Sequence, residues 1–127
     1  MSDAMGPVLV FDQVVGTALV TTVPKFNRFL GQYDKYTLHA VVGPTANALT
    51  ATLTVRLKQS SDERAFTNKN TGNAEINGST ITNFASGPTN IYGYDANNQI
   101  GGGFGQLEVN VSASSAHVQI YATGRNT

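Results

Sequence analysis

The strongest regularity along the chain is a period of two. From Leu49 to Lys58 the residues Leu49, Ala51, Leu53, Val55 and Leu57 alternate with Thr50, Thr52, Thr54, Arg56 and Lys58. Such alternation puts one set on a buried sheet face and the other toward solvent. Tyr36, Leu38, Ala40 and Val42 alternate in the same way with Lys35, Thr37, His39 and Val41. Leu107, Val109 and Val111 alternate with Gln106, Glu108 and Asn110, and Ala116, Val118, Ile120 and Ala122 alternate with His117, Gln119, Tyr121 and Thr123. Upstream, Val8 to Val15 and Thr17 to Val23 are β-rich runs meeting at Gly16, where the missing Cβ makes a bend cheap; they are expected to form two strands or one bent one.

Between Ser60 and Gly105 the pattern breaks into short segments, with strand candidates at Ala74 to Ile76, Ser79 to Phe84 and Asn90 to Tyr94. Asn77-Gly78 is expected to be a two-residue hairpin turn, and Ser112 to Ser115 to join the last two strands into a terminal hairpin. Helical spacing occurs once: Phe26, Phe29, Leu30 and Tyr33 fall at i, i+3, i+4 and i+7 behind Thr22 as a candidate N-cap, with Gly31 interrupting. A short helical turn with core aromatics is the most this supports. About seven to nine short strands with turn signals every eight to twelve residues predict an all-β fold, an antiparallel two-sheet β-sandwich with jelly-roll-like wiring. It is expected to be one domain over residues 1–127, residues 1–7 forming an N-terminal arm.

A chain of 127 residues has room for a single sizeable core. Only 13% of its residues are charged, against roughly 25% in an average soluble domain. Eight Lys and Arg balance eight Asp and Glu, so the surface is expected to consist mostly of uncharged polar groups. With no basic cluster there is no electrostatic footprint for nucleic acid or for an anionic membrane, and no long-range repulsion to oppose association between copies. The absence of Cys excludes a disulfide framework, a thiolate nucleophile and Cys-containing metal sites. No run approaches the roughly 20 apolar residues of a membrane span, and Met1 to Pro7 lacks the basic and apolar pattern of a signal peptide. Synthesis in the cytoplasm is therefore expected, with a virion or other assembled particle as the destination.

Ser60-Ser61-Asp62-Glu63-Arg64-Ala65-Phe66 resembles an Asp-box turn, in which Ser and Asp side chains tie a tight loop and a following aromatic plugs the core; Arg64 stands where that motif has Gly and Phe66 where it has Trp. Taken with the strands before it, Tyr33 to Thr67 is similar to the front half of β-sandwich and jelly-roll domains found in phage virion structural proteins, of capsid or decoration type, and in carbohydrate-binding modules. The resemblance implies a turn-stabilising role for Asp62. Asp95 to Gly101 carries side-chain oxygens at alternate positions, but Ile100 replaces the turn glycine of a Ca²⁺ loop and Gln106 its bidentate Glu, so an Asx-rich turn is expected and no metal site. Gly101 to Gly105 is followed by a strand where a phosphate loop would open a helix. His39 and His117 are the only histidines, each expected on an outer strand face, and nothing places either beside a nucleophile. Glu75 and Glu108 are carboxylates of the kind glycosidases pair, but a sandwich this small offers little room for a cleft. The Thr50, Thr52, Thr54 row is similar to the Thr ladder of ice-binding proteins, which requires the row to recur on neighbouring strands.

These features predict a structural subunit that assembles with copies of itself or decorates a shell lattice, with no catalytic residue and no cofactor. Ser2 to Val15 and Gly87 to Gly105 are the expected contact segments. The alternative is a carbohydrate-binding module that stacks glycan rings on exposed aromatics. Candidate subunit or ligand contacts are Tyr92, Tyr94, Asp95, Asn97, Gln99, Phe104 and Tyr121.

Overall fold

A computed structural model describes residues 4–22, 35–43, 49–68, 76–83, 90–96 and 103–125, with side chains for 7–22, 35–43, 51–67 and 103–125. The described residues form nine strands and no helix: β1 (Ala4–Val15), β2 (Val20–Thr21), β3 (Lys35–Val42), β4 (Leu49–Ser60), β5 (Thr67–Asn68), β6 (Ile76–Asn83), β7 (Asn90–Ala96), β8 (Phe104–Val111) and β9 (Ala116–Arg125). The helical spacing at Phe26 to Tyr33 lies outside the described residues.

One sheet has the order β1-β9-β3-β7. The other runs β2-β8-β4, and the far flank of β4 is shared by β5, opposite Lys58 and Gln59, and β6, opposite Leu49 to Val55. Every pairing is antiparallel. Counting β5 and β6 as one interrupted strand gives eight strands ordered 1-8-3-6 and 2-7-4-5. That is the wiring of a jelly roll, in which successive strands alternate between sheets except for the fourth and fifth, which pair with each other, and two Greek keys interlock.

The period-two pattern supplies the core. Leu38, Ala40, Val42, Leu53, Val55, Leu107, Val109, Val111, Val118, Ile120 and Ala122 are completely buried, and Tyr36, Ala51, Leu57 and Ala116 nearly so. On β1 the adjacent residues Val10 and Phe11 are both buried, because a register shift between Leu9 and Phe11 turns the strand by one residue. Val8 and Val20 close the rim of this cluster.

Three expectations about connections change. Ser112 to Ser115 does not close a hairpin: β8 pairs with β2 and β4, β9 pairs with β1 and β3, and the segment crosses from one sheet to the other. Ser112 pins the crossover, its N–H donating to the Thr52 carbonyl at 3.0 Å and its Oγ accepting from the Thr52 N–H at 2.8 Å. Asn77-Gly78 is no turn either, since β6 runs through it. Asn77 faces Thr54 and Ser79 faces Leu53, so Gly78 is the extra residue of a bulge, where the lack of a Cβ is equally useful. Finally, β1 begins at Ala4, opposite Arg125, within the segment expected to be an arm.

Gly16 does separate two strands, as expected. Its carbonyl accepts from the Val111 N–H at 2.9 Å, and the neighbouring Thr17 carbonyl accepts from Asn110 Nδ2 at 3.3 Å, so the chain leaves β1 and joins the edge of the opposite sheet. There the buried Thr22 clamps β2 to β8: its N–H donates to the Leu107 carbonyl at 3.0 Å and its Oγ1 accepts from the Leu107 N–H at 3.2 Å.

Candidate functional site

The described core is built of aliphatic side chains with Phe11 and Tyr36, and the candidate groups are sought on the surfaces and edges of the sandwich. On the outer face of the β1-β9-β3-β7 sheet the register sets out cross-strand rows: Leu9, Tyr121 and His39; then Asp12, Gln119 and Val41; then Val14 and His117. Tyr121 and Val41 are half-buried, while His39 and His117 are exposed. Within this face Asp12 Oδ1 accepts a hydrogen bond from His117 Nε2, diagonally across the β1–β9 pair. That contact, aided by a further hydrogen bond from Gln119, holds the Asp12 carboxyl below its ordinary range against a smaller opposing effect of desolvation. The pair ties the edge strand to its neighbour and engages the one carboxylate of β1. It lies on an open face with both side chains near half exposure, 46% for His117 and 42% for Asp12, so it has none of the water exclusion a catalytic dyad uses.

Next to the pair, β1 is bare. Asp12, Gln13 and Val14 are exposed in succession, and Val14, at 67%, and Leu19, at 46%, are the large hydrophobic residues left in solvent among the described residues. Among those residues β1 pairs with β9 alone, so among them its other side is a sheet edge.

The outer face of the second sheet is polar along the middle of β4 and β8, where Thr52, Thr54, Arg56, Gln106, Glu108 and Asn110 take the half-buried or exposed positions. Its register places Thr82 opposite Thr50 and Thr80 opposite Thr52, so the threonine row recurs on one neighbouring strand, at two positions. Beyond Thr54 the face becomes charged, with Arg56 opposite Glu108 and a 3.4 Å ion pair between Lys58 and Glu108.

Where β4 turns into β5, the loop is tied as the Asp-box resemblance implies. Asp62 Oδ1 accepts from the N–H of Arg64 (2.9 Å), the N–H of Ala65 (3.1 Å) and the hydroxyl of Ser60 (3.0 Å). Ser60 Oγ in turn accepts from the N–H groups of Asp62 and Glu63. Glu63 sits at φ 63°, a left-handed conformation that this net of bonds holds in place. The Arg64 and Ala65 N–H groups, then the Ser60 hydroxyl, stabilise the carboxylate and lower the Asp62 pKa. Gln59, Ser60, Ser61, Asp62, Ala65 and Thr67 line an open notch of about 360 Å³ beside this loop.

The sequence-predicted contacts do not gather at one place. Tyr121 lies on the outer face of the first sheet, and Asp95 on β7 is registered opposite Thr37 of the same face. Tyr92 and Tyr94 are registered opposite Ala40 and Leu38, positions of the core rows. Phe104 opens β8 in the other sheet, opposite Ser60. Asn97 and Gln99 lie outside the described residues, as does Glu75. Sequence reasoning missed the Asp12–His117 pair, whose members stand 105 residues apart and meet only through the β1–β9 register. It also missed the bare stretch of β1, since an edge is a property of strand order. Comparison with protein families, curated proteins and solved structures finds no match to this chain.

Proposed function

We propose that the chain is a structural subunit that builds a coat, shell or filament, or decorates one, through contacts between protein surfaces. The observation that carries this reading is a jelly roll whose terminal strand β1 leaves Asp12, Gln13 and Val14 exposed in succession, with no strand paired to its outer side among the described residues. Jelly rolls serve as capsid domains as well as lectins and cupins, so the fold alone does not choose. What favours assembly is the combination of that edge with zero formal charge, which leaves only short-range contacts to decide whether copies meet. Sedimentation velocity over a concentration series tests it: the proposal expects mass to grow with concentration or on addition of a lattice, and a single monomeric species under both conditions removes it.

The open notch beside Asp62 supports a second reading, a glycan-binding module, because its volume falls within the roughly 300–1,000 Å³ of ligand sites and its lining offers hydroxyls, an amide and a carboxylate. Oligosaccharide titrations followed by NMR would shift the Gln59 and Thr67 resonances under this reading; unchanged spectra across a glycan panel would eliminate it.

A further inference from the structure

We infer that the half of β1 from Phe11 to Val15 pairs antiparallel with the same segment of a second copy, joining two four-stranded sheets into one across a twofold axis at Gln13. The inference rests on the assembly reading above and names the surface through which it begins.

Edge strands are normally blunted by proline, bulges or unpaired charge. On β1 these devices crowd the first half, which holds Pro7 and both register shifts, Met5 to Val8 and Leu9 to Phe11. From Phe11 to Val15 the register against β9 is unbroken, and its single charge, Asp12, is engaged by His117. Gln13 is registered opposite the fully buried Val118 yet is itself exposed, so among the described residues no side chain covers the core side of the edge here. Val14, on the same stretch, is an exposed large hydrophobic residue.

The residues select the register. A twofold axis normal to the sheet keeps core face with core face, so facing residues must have the same parity. Centring on Asp12 sets two carboxylates against each other, which like-charge repulsion opposes. Centring on Val14 carries Asp12 past the end of the strand, opposite the bend at Gly16. Centring on Gln13 keeps the whole segment paired, with Phe11 facing Val15 and Asp12 facing Val14 of the second copy. The contact is isologous and closes as a dimer, so larger particles require a further interface.

The absence of Cys gives a clean test. Residues on such an axis lie about 4.5–5.5 Å apart between Cα atoms, inside the range a disulfide spans. Gln13→Cys is expected to convert almost wholly to a disulfide-linked dimer under mild oxidation, while Ser115→Cys, exposed at the end of the β8–β9 crossover, stays monomeric on a non-reducing gel. Gln13→Lys sets two ammonium groups across the axis and is expected to weaken association at least about tenfold, while circular dichroism, and melting at a concentration where both chains are monomeric, stay as in the parent. A parent chain that associates while Gln13→Cys fails to crosslink, or Gln13→Lys that associates as tightly as the parent, overturns edge pairing and leaves the assembly reading standing. A parent chain that is monomeric at every concentration and ignores any lattice overturns both.

Discussion

Leu53 and Thr52 are neighbours on β4 that the register sends to opposite faces, and truncating each to alanine separates core from surface in one experiment. Leu53 is completely buried on a central strand, flanked by β6 on one side and β8 on the other. Removing its side chain loses about 1.5–3 kcal/mol of transfer free energy, and a cavity that packed sheets cannot close raises the cost to about 3–5 kcal/mol. A domain this size has a total stability of about 6–19 kcal/mol, so Leu53→Ala removes a large share of it. The expected fall in Tm is about 10–20 °C. Thr52 is half-buried on the outer face, and the bonds that tie it to Ser112 come from its backbone, so Thr52→Ala keeps them and is expected to cost less than about 1 kcal/mol. Urea unfolding of both variants, read by circular dichroism, gives the two values directly. Equal losses, or a Leu53→Ala cost below about 1 kcal/mol, would refute the face assignment and with it the sheet register. Leu53→Asp, which buries an unpaired carboxylate, is expected to prevent folding at neutral pH.

Other outcomes follow from single contacts. Thr22→Val keeps the shape of the β2 clamp but removes the acceptor of the buried Leu107 N–H, for an expected loss of about 1–3 kcal/mol in urea melts; no loss would mean β2 is not held to β8 this way. Asp62 has a folded-state pKa below its ordinary 3.8, so its stabilisation is complete above that value and is lost as pH falls through the lower folded one. The Tm gap between the parent and Asp62→Asn should therefore be full at pH 6 and shrink below about pH 4; a gap independent of pH would contradict the loop's hydrogen-bond net. The Asp12 carboxyl obeys the same sign, its main cause being the His117 hydrogen bond, so NMR titration of His117→Phe should show the Asp12 midpoint rising toward the ordinary carboxylate range. An unmoved midpoint would mean the pair does not form in solution.

Which residues face inward is legible in the sequence, because side chains on a strand alternate and burial sorts them: Leu53, Val109, Ile120 and Leu38 fall on the core side by spacing alone. Which strands are neighbours is not. Period-two alternation is the same whichever sheet a strand joins, so β8 and β9, joined by a short Ser-rich segment, look like a hairpin although they belong to different sheets. Asn77-Gly78 misleads for a related reason, since the freedom that suits a type I′ turn suits a bulge as well. Phe11 breaks the alternation of β1 through a bulge that leaves no mark in residue type. The Asp62 loop is readable because its bonds are local, within three residues of one another. Asp12, His117 and the bare edge depend on contacts that close only when the first and last strands pair, and local pattern carries no trace of them.

The measurement that tests the assembly claim most directly is the mass and shape of the purified protein, by light scattering and negative-stain electron microscopy from micromolar to millimolar concentration. The account predicts dimers at low concentration that give way to regular shells, tubes or filaments, or that bind as ordered copies on a supplied lattice. A strictly monomeric protein at every concentration, which also fails to bind any lattice, would contradict it.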